Sequence, residues 1–478
     1  MSLKKQAASG FLWSFVQQFS MLGINFVVSV FMARLLIPAE FGLMGMIYVF
    51  FTIGNVLLDA GLTQSLIRTP DADDEDYSSI FYFNILLGCT LYFVLFLVAP
   101  AIASFYSQPL LTDLTRVYSL IFILGSFTTV QNAIFVKEMK FKKLLLISLP
   151  ASILGGLFGI FCAYNGYGVW SLVFSTISTT TLNALLLWFF SSWRPKWIFN
   201  KQKFKRHFNF GYKLTLTNLI DAIFGNIYQV VLGRFYSPKI VGLYSRSDSM
   251  KNMAVTSIAN TLTKVSFPLL ANIQEDKERM AVIYRKILQT VIFITAPVLI
   301  MLAVLAKPIF VFLFTEKWIE AVPYFQIICI GGILRPINSY NINLFSIIGR
   351  SEVILKLELI EKPILMVLVA LALPFGILPI LTMQVVYAII CFFINVSYSK
   401  NVIKYTHTEQ IVDVGSVVLI AFFTAGIVYW LQNILVSNSI SNIVQICVGA
   451  ICFTFIYLAL AYLLKIKGLA HIFEIVKR

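Results

Sequence analysis

Ala33-Arg34-Leu35-Leu36-Ile37-Pro38-Ala39-Glu40-Phe41-Gly42-Leu43 returns in altered form as Gly233-Arg234-Phe235-Tyr236-Ser237-Pro238-Lys239-Ile240-Val241-Gly242-Leu243. Arg34/Arg234, Pro38/Pro238, Gly42/Gly242 and Leu43/Leu243 match at a constant offset of 200, and Leu62-Thr63 recurs in register as Leu262-Thr263. Each copy joins the end of one apolar run to the start of the next. Arginine suits a helix C-terminus, where the dipole is negative. Proline stops that helix, and glycine lets the next one pack closely. Matches at these positions, between corresponding apolar runs, indicate a duplicated half.

Of the 478 residues 59% are hydrophobic and 12% charged, where a soluble protein carries about a quarter charged. The composition is that of a polytopic membrane protein. The N-terminus shows no cleavable signal, so the first apolar run is expected to serve as its own insertion signal. Cys89, Cys162, Cys329, Cys391, Cys447 and Cys452 all lie in apolar runs, with no pair at ligand spacing; they read as small buried side chains. The net charge of +15 is concentrated in particular loops, so it speaks of topology rather than nucleic-acid binding.

A span needs about 20 apolar residues. Runs near 11–33, 41–67, 78–105, 115–136, 144–164, 168–190, 211–233, 241–268, 286–306, 321–345, 352–373, 376–399, 413–434 and 440–464 satisfy this, which predicts fourteen spans. Alternate connectors hold Lys4 and Lys5, Lys137 to Lys143, Lys277 to Lys286, and Lys400 and Lys404. The positive-inside rule then places both termini in the cytoplasm. The basic connector Trp193 to Phe208 reads as an interfacial segment lying on anionic lipid, with capture of a polyanionic headgroup as the alternative. The run Asp71 to Asp76 reads as a solvated acidic loop.

Six spans per half make the repeats parallel, related by an axis along the membrane normal, with substrate in the cleft between halves. The expected fold is an all-α polytopic membrane protein. Two parallel-repeat six-helix lobes surround a central cavity, and two further helices follow. Residues 1–190 form the N-lobe, 191–210 the connector, 211–400 the C-lobe, and 401–478 the additional spans and tail.

The opening Ser2-Leu3-Lys4-Lys5-Gln6-Ala7 with Gly10 and Trp13 is similar to that of bacterial polysaccharide-export flippases. So are Ala33-Arg34-Leu35-Leu36, Pro38, Phe41-Gly42-Leu43, the run Tyr77 to Gly88, and Gly349-Arg350. These flippases belong to the multidrug/oligosaccharidyl-lipid/polysaccharide exporter superfamily. The resemblance implies a protein that moves an undecaprenyl-diphosphate-linked oligosaccharide from the cytoplasmic to the outer leaflet of the inner membrane by alternating access. Its partners would be that lipid-linked substrate, the bilayer, and polysaccharide polymerase or ligase machinery. No cofactor and no nucleic acid are implied.

Ionisable groups at membrane depth are expensive and mark transport paths or pairs. Arg335 lies about 21 Å into its run, in Gly331-Gly332-Ile333-Leu334-Arg335-Pro336, a pattern expected of an interrupted helix lining a cavity. With Asn338 and Asn341, and Asn343 beyond, it is the candidate substrate contact; a structural ion pair is the other reading. Asp221, about 15 Å deep, is either the partner of Arg335 or a cation-coupling carboxylate. Asp59, about 27 Å along its run, reads as a cap or an interfacial pair with Arg68. Glu358 and Lys362 stand i to i+4 and are expected to pair, while Lys264 is expected to snorkel from a helix end.

Two rivals remain. A cation-coupled drug exporter of the same superfamily wants buried carboxylates in the first lobe, where Asp59 alone is available. A membrane enzyme of polysaccharide assembly wants a sizeable aqueous loop, and the outer connectors are short. His207, His407 and His471 fall in connectors or the tail, and no Walker-type loop is present, so transport driven by ATP bound to this chain is excluded.

Overall fold

The computed structural model describes residues 3–271, 273 and 275–476. Lys264, Lys4 and Lys5 have side chains outside the described set. Every regular element among the described residues is helical, and the chain divides into two compact units, Met1–Ser245 and Arg246–Arg478.

The first unit holds α1 (Leu3–Leu35), α2 (Pro38–Asp59), α3 (Leu62–Arg68), α4 (Asp74–Tyr106), α5 (Leu111–Tyr118), α6 (Leu120–Ser126) and α7 (Thr129–Lys137). It continues with α8 (Phe141–Tyr164), α9 (Trp170–Phe190), α10 (Lys201–Gly225), α11 (Ile227–Phe235) and the start of α12 (Pro238–Ala271). The second unit holds the rest of α12, α13 (Lys277–Val304), α14 (Ala306–Phe314), α15 (Ala321–Gly332) and α16 (Arg335–Ile347). After these come α17 (Ser351–Ala372), α18 (Ile377–Ile403), α19 (His407–Ser437), α20 (Asn442–Leu463) and α21 (Lys467–Val476).

Among the described residues, nine helices are long and apolar enough to cross a membrane: α1, α2 running into α3, α4, α8, α9, α13, α18, α19 and α20. The segment from α5 to α7 makes a tenth if its 42° bend is counted within one span. This is a multi-pass membrane fold. The other expected runs contain helices that are short, broken or charged. In α12, for example, stand Lys239, Arg246, Asp248 and Lys251.

The repeated stretch explains its own residues. Arg34 and Arg234 fall in the last turns of α1 and α11, where a cation complements the dipole. Pro38 and Pro238 begin the next helices, a position that needs no N–H donor. Glu40 returns its carboxylate to the Ile37 N–H at 2.8 Å, closing a capping box. The two copies then touch. A Cβ on Gly42 would stand 1.7 Å from the Pro238 carbonyl oxygen, and one on Gly242 would stand 1.8 Å from that of Pro38. Only glycine permits such backbone contact.

The acidic run is not a free solvated loop, and three of the connector's basic residues are engaged by it. Asp73 and Asp76 form the capping box of α4, and Lys196, Lys203 and Arg206 pair with Asp74, Asp73 and Asp71. A carboxylate-rich helix N-terminus both completes the helix and attracts cations.

In the second unit α13 is the hub. It packs against α15, α16, α18, α19 and α21, and 61% of its apolar window is buried.

Candidate functional site: a cationic cluster at a broken helix

The run 321–345 is interrupted as its sequence suggests. α15 ends at Gly332 and α16 begins at Arg335, with Pro336 in the first turn of the new helix. Arg335 is exposed, and its Nη1 donates to Asn252 Oδ1 at 3.0 Å. The Asn252 amide in turn donates to Asp248 Oδ2 at 2.8 Å, and Lys251 Nζ donates to Asp248 Oδ1 at 2.6 Å. One turn of α12 therefore carries a carboxylate held by one buried lysine, and passes its orientation through a neutral carboxamide to the guanidinium. Arg335 makes no ion pair among the described residues. One carboxylate against two cations leaves the cluster net positive.

Gly332 makes room for this arrangement. A Cβ there would lie 3.2 Å from Lys251 Cδ and 3.3 Å from Leu299 Cδ1, so the glycine lets the lysine stem pass against α15. Lys251 is 3% exposed, and a lysine so enclosed needs its Asp248 partner.

The other expected residues have separate fates. Asn338 is half-buried and donates to the Ala388 carbonyl at 3.1 Å. Asn341 is fully enclosed. Its Oδ1 accepts from Tyr284 Oη at 2.9 Å and Ser399 Oγ at 2.8 Å, while its amide reaches Gln410 Oε1 at 3.4 Å. That network continues through Gln410 to the Tyr405 carbonyl, and Tyr405 Oη donates to Asp413 Oδ2 at 2.6 Å. Arg285 closes it on Asp413 at 2.7 Å and Glu409 at 3.0 Å. Asn341 thus helps bolt α13, α16, α18 and α19 together.

Asp221 lies in the first unit, exposed on α10, and makes no ion pair among the described residues. Asp59 is the last residue of α2, half-buried before the left-handed Ala60 and Gly61. Arg68 stacks over the Phe210 ring at 4.8 Å. Glu358 and Lys362 pair at 3.5 Å as their spacing predicts. The residues that sequence reasoning missed are Asp248, Lys251 and Asn252; their i, i+3 and i+4 spacing on one charged helix was the available signal.

A cavity of about 580 Å³ between α13, α15, α18 and α19 is lined by Ile300, Ile327, Ile330, Leu378 and Phe422, with Gln326 and Tyr429 as its polar groups. It carries no charge and does not suit an anionic group. The cationic cluster does.

Comparison with known proteins accords with this architecture. The chain is 28% identical over 338 residues, 70% of each chain, to an uncharacterized membrane protein in the cps region of Klebsiella pneumoniae. It is 26% identical over 345 residues to the lipopolysaccharide biosynthesis protein WzxC of Escherichia coli, covering 71% of this chain and 69% of that one. Its fold matches that of the lipid II flippase MurJ in an inward closed conformation with a TM-score of 0.74, at 14% identity over 95% of this chain and 99% of the other. That likeness is one of fold. A family described as polysaccharide biosynthesis protein matches residues 31–323, more than half of the sequence, and the chain belongs to it.

Proposed function

We propose that the chain is a flippase for an undecaprenyl-diphosphate-linked oligosaccharide, carrying it from the cytoplasmic to the outer leaflet of the inner membrane by alternating access. The observation that carries this reading is Arg335: a guanidinium at a helix break, oriented by a neutral carboxamide and, among the described residues, without a carboxylate. An anionic diphosphate supplies the counter-charge that such a group lacks. In this reading Arg335 attracts the diphosphate, Lys251 neutralises Asp248, Asn338 faces the sugar, and Asn341 serves the framework. Asp221, exposed and unpaired among the described residues, is proposed as the cation-coupling carboxylate; Asp59 remains a helix-end group.

The same reading accounts for the helices too polar or too bent to count as single spans. We take the runs 115–136, 211–233, 241–268, 321–345 and 352–373 as crossing too, giving fourteen spans with both termini inside. A charged helix is tolerated at membrane depth where its polar face meets a water-filled cavity rather than lipid. The two lobes, 1–190 and 211–400, would enclose that cavity. Polymerase or ligase machinery would receive the product on the outer side.

The test is the sidedness of lipid-linked oligosaccharide in cells depleted of the protein. Completed units should accumulate facing the cytoplasm. Incomplete units would favour the enzyme reading, and outward-facing ones the drug exporter.

A further inference from the structure

We infer that residues 193–207 form a rigid clasp that stays on the first unit throughout the transport cycle, so that relative motion of the halves begins beyond Gly211. This rests on the alternating-access reading. A connector between two moving bodies is expected to be slack. This one is held at Lys196, Asn200, Lys203 and His207.

The Lys196 and Asn200 backbone N–H groups donate to the fully buried hydroxyls of Ser78 and Ser79, at 3.0 and 2.8 Å. Asn200 uses its carboxamide twice. Its oxygen caps α10 by accepting from Gln202 and Lys203 N–H, and its amide donates to Glu75 at 2.9 Å. Lys203 then bridges Asp73 at 2.5 Å and Glu75 at 3.0 Å. One turn further, His207 is completely enclosed. Its Nε2 meets Asp76 Oδ1 at 3.0 Å and its Nδ1 meets Ser65 Oγ at 2.8 Å. The carboxylate of Asp76 accepts from the imidazole N–H at Nε2.

Two aromatic contacts lie between these points. Trp197 stacks on Tyr82 with ring centroids 5.4 Å apart, and Phe204 meets Phe83 at 4.7 Å. Lifting the connector would strand a buried imidazole, a buried carboxylate and two buried hydroxyls, each of which is costly without a partner. The clasp ends at a backbone crossing. A Cβ on Gly211 would stand 2.2 Å from the Ala60 carbonyl oxygen, and one on Gly61 would stand 2.6 Å from that of Gly211. Beyond this side-chain-free contact α10 runs to its own break at Gly225 and Asn226, which provides two places for motion to start.

The experiment joins Tyr82→Cys to Trp197→Cys in full-length protein whose six native cysteines are replaced. A short bismaleimide links the pair in everted vesicles, and transport is read as lectin protection of the cells' own lipid-linked oligosaccharide. A rigid clasp predicts efficient cross-linking and transport within about twofold of the unlinked control, since the pair never separates. Loss of about tenfold or more on linking, with the unlinked control active, overturns the clasp and leaves the flippase reading intact. If the unlinked control and wild type both fail to transport, the flippase reading falls. Nitroxides on the same two cysteines then decide the clasp: one narrow distance supports it, and two separated distances refute it.

Discussion

Gly42 and Gly242, two hundred positions apart, meet so closely that each leaves no room for a Cβ beneath the backbone of the other's helix. Equivalent positions face one another along the crossing. A Cβ placed on Gly45 would lie 3.8 Å from the Ser245 Cβ, the mean separation in disulfides of about 3.8 Å. A Gly45→Cys/Ser245→Cys pair should therefore oxidise readily in a background without native cysteines. If the crossing must part during transport, the oxidised protein will be inactive and dithiothreitol will restore it. Full activity with the disulfide shown intact would mean that the crossing is static.

Gly42→Ala and Gly242→Ala should each lower stability by about 1–3 kcal/mol through overpacking, seen as a lower Tm in detergent. Gly23→Ala, where nothing approaches within 4 Å, is the matched control and should move Tm little.

The Asp73–Lys203 pair gives a signed pH prediction. Lys203 holds the Asp73 carboxyl well below its ordinary value of 3.8. That contribution is present above 3.8 and is lost as pH falls through the depressed value. Asp73, with Glu75, holds the Lys203 ammonium above its ordinary 10.5, so its contribution is present below 10.5 and lost only as pH rises through the raised value. The difference in nitroxide mobility at position 197 between wild type and Asp73→Asn should therefore be constant from about pH 5 to pH 9. It should vanish only well below 3.8. A difference that disappears near neutrality would show that another group governs the contact.

Asn252→Asp should place a second carboxylate between Asp248 and Arg335 and cancel the net positive charge of the cluster. Transport is expected to fall about tenfold, the size of one lost charge-assisted contact, with little change in Tm. Unchanged transport would detach the cluster from the substrate path.

Arg285→Ala should behave in the opposite way. It leaves Asp413, whose side chain is 7% exposed, without its cation, and stranding a half-enclosed charge costs about 1–3 kcal/mol. A lower Tm is expected, with the folded protein still transporting. Differential scanning fluorimetry and transport on the folded fraction separate the two effects.

The sequence made parts of this legible and concealed others for physical reasons. Nine spans were readable because uninterrupted apolar runs of membrane length have little else to become. Arg34, Pro38 and Gly42 were readable because capping and close packing demand those residue types. That Gly42 would meet its own copy was not, since a repeat states equivalence and not contact. The clasp was hidden because Asp71–Asp76 and Lys196–His207 are far apart in the chain, and each alone resembles an ordinary solvated or lipid-facing segment. Asn341 was grouped with Arg335 by proximity in sequence. Six residues at about 100° each turn it about 240° around α16, from the break toward the packed interior. Asn338, three residues on, stays about 60° from Arg335.

The most direct test of the central claim is lectin accessibility of completed lipid-linked oligosaccharide in vesicles of known sidedness, comparing depleted cells rescued by wild type or by Arg335→Ala. Cytoplasm-facing units that wild type moves outward and Arg335→Ala leaves in place are the predicted result. Units that face outward without the protein, or full rescue by Arg335→Ala, would contradict the account: the first removes the flippase function, the second removes Arg335 from its path.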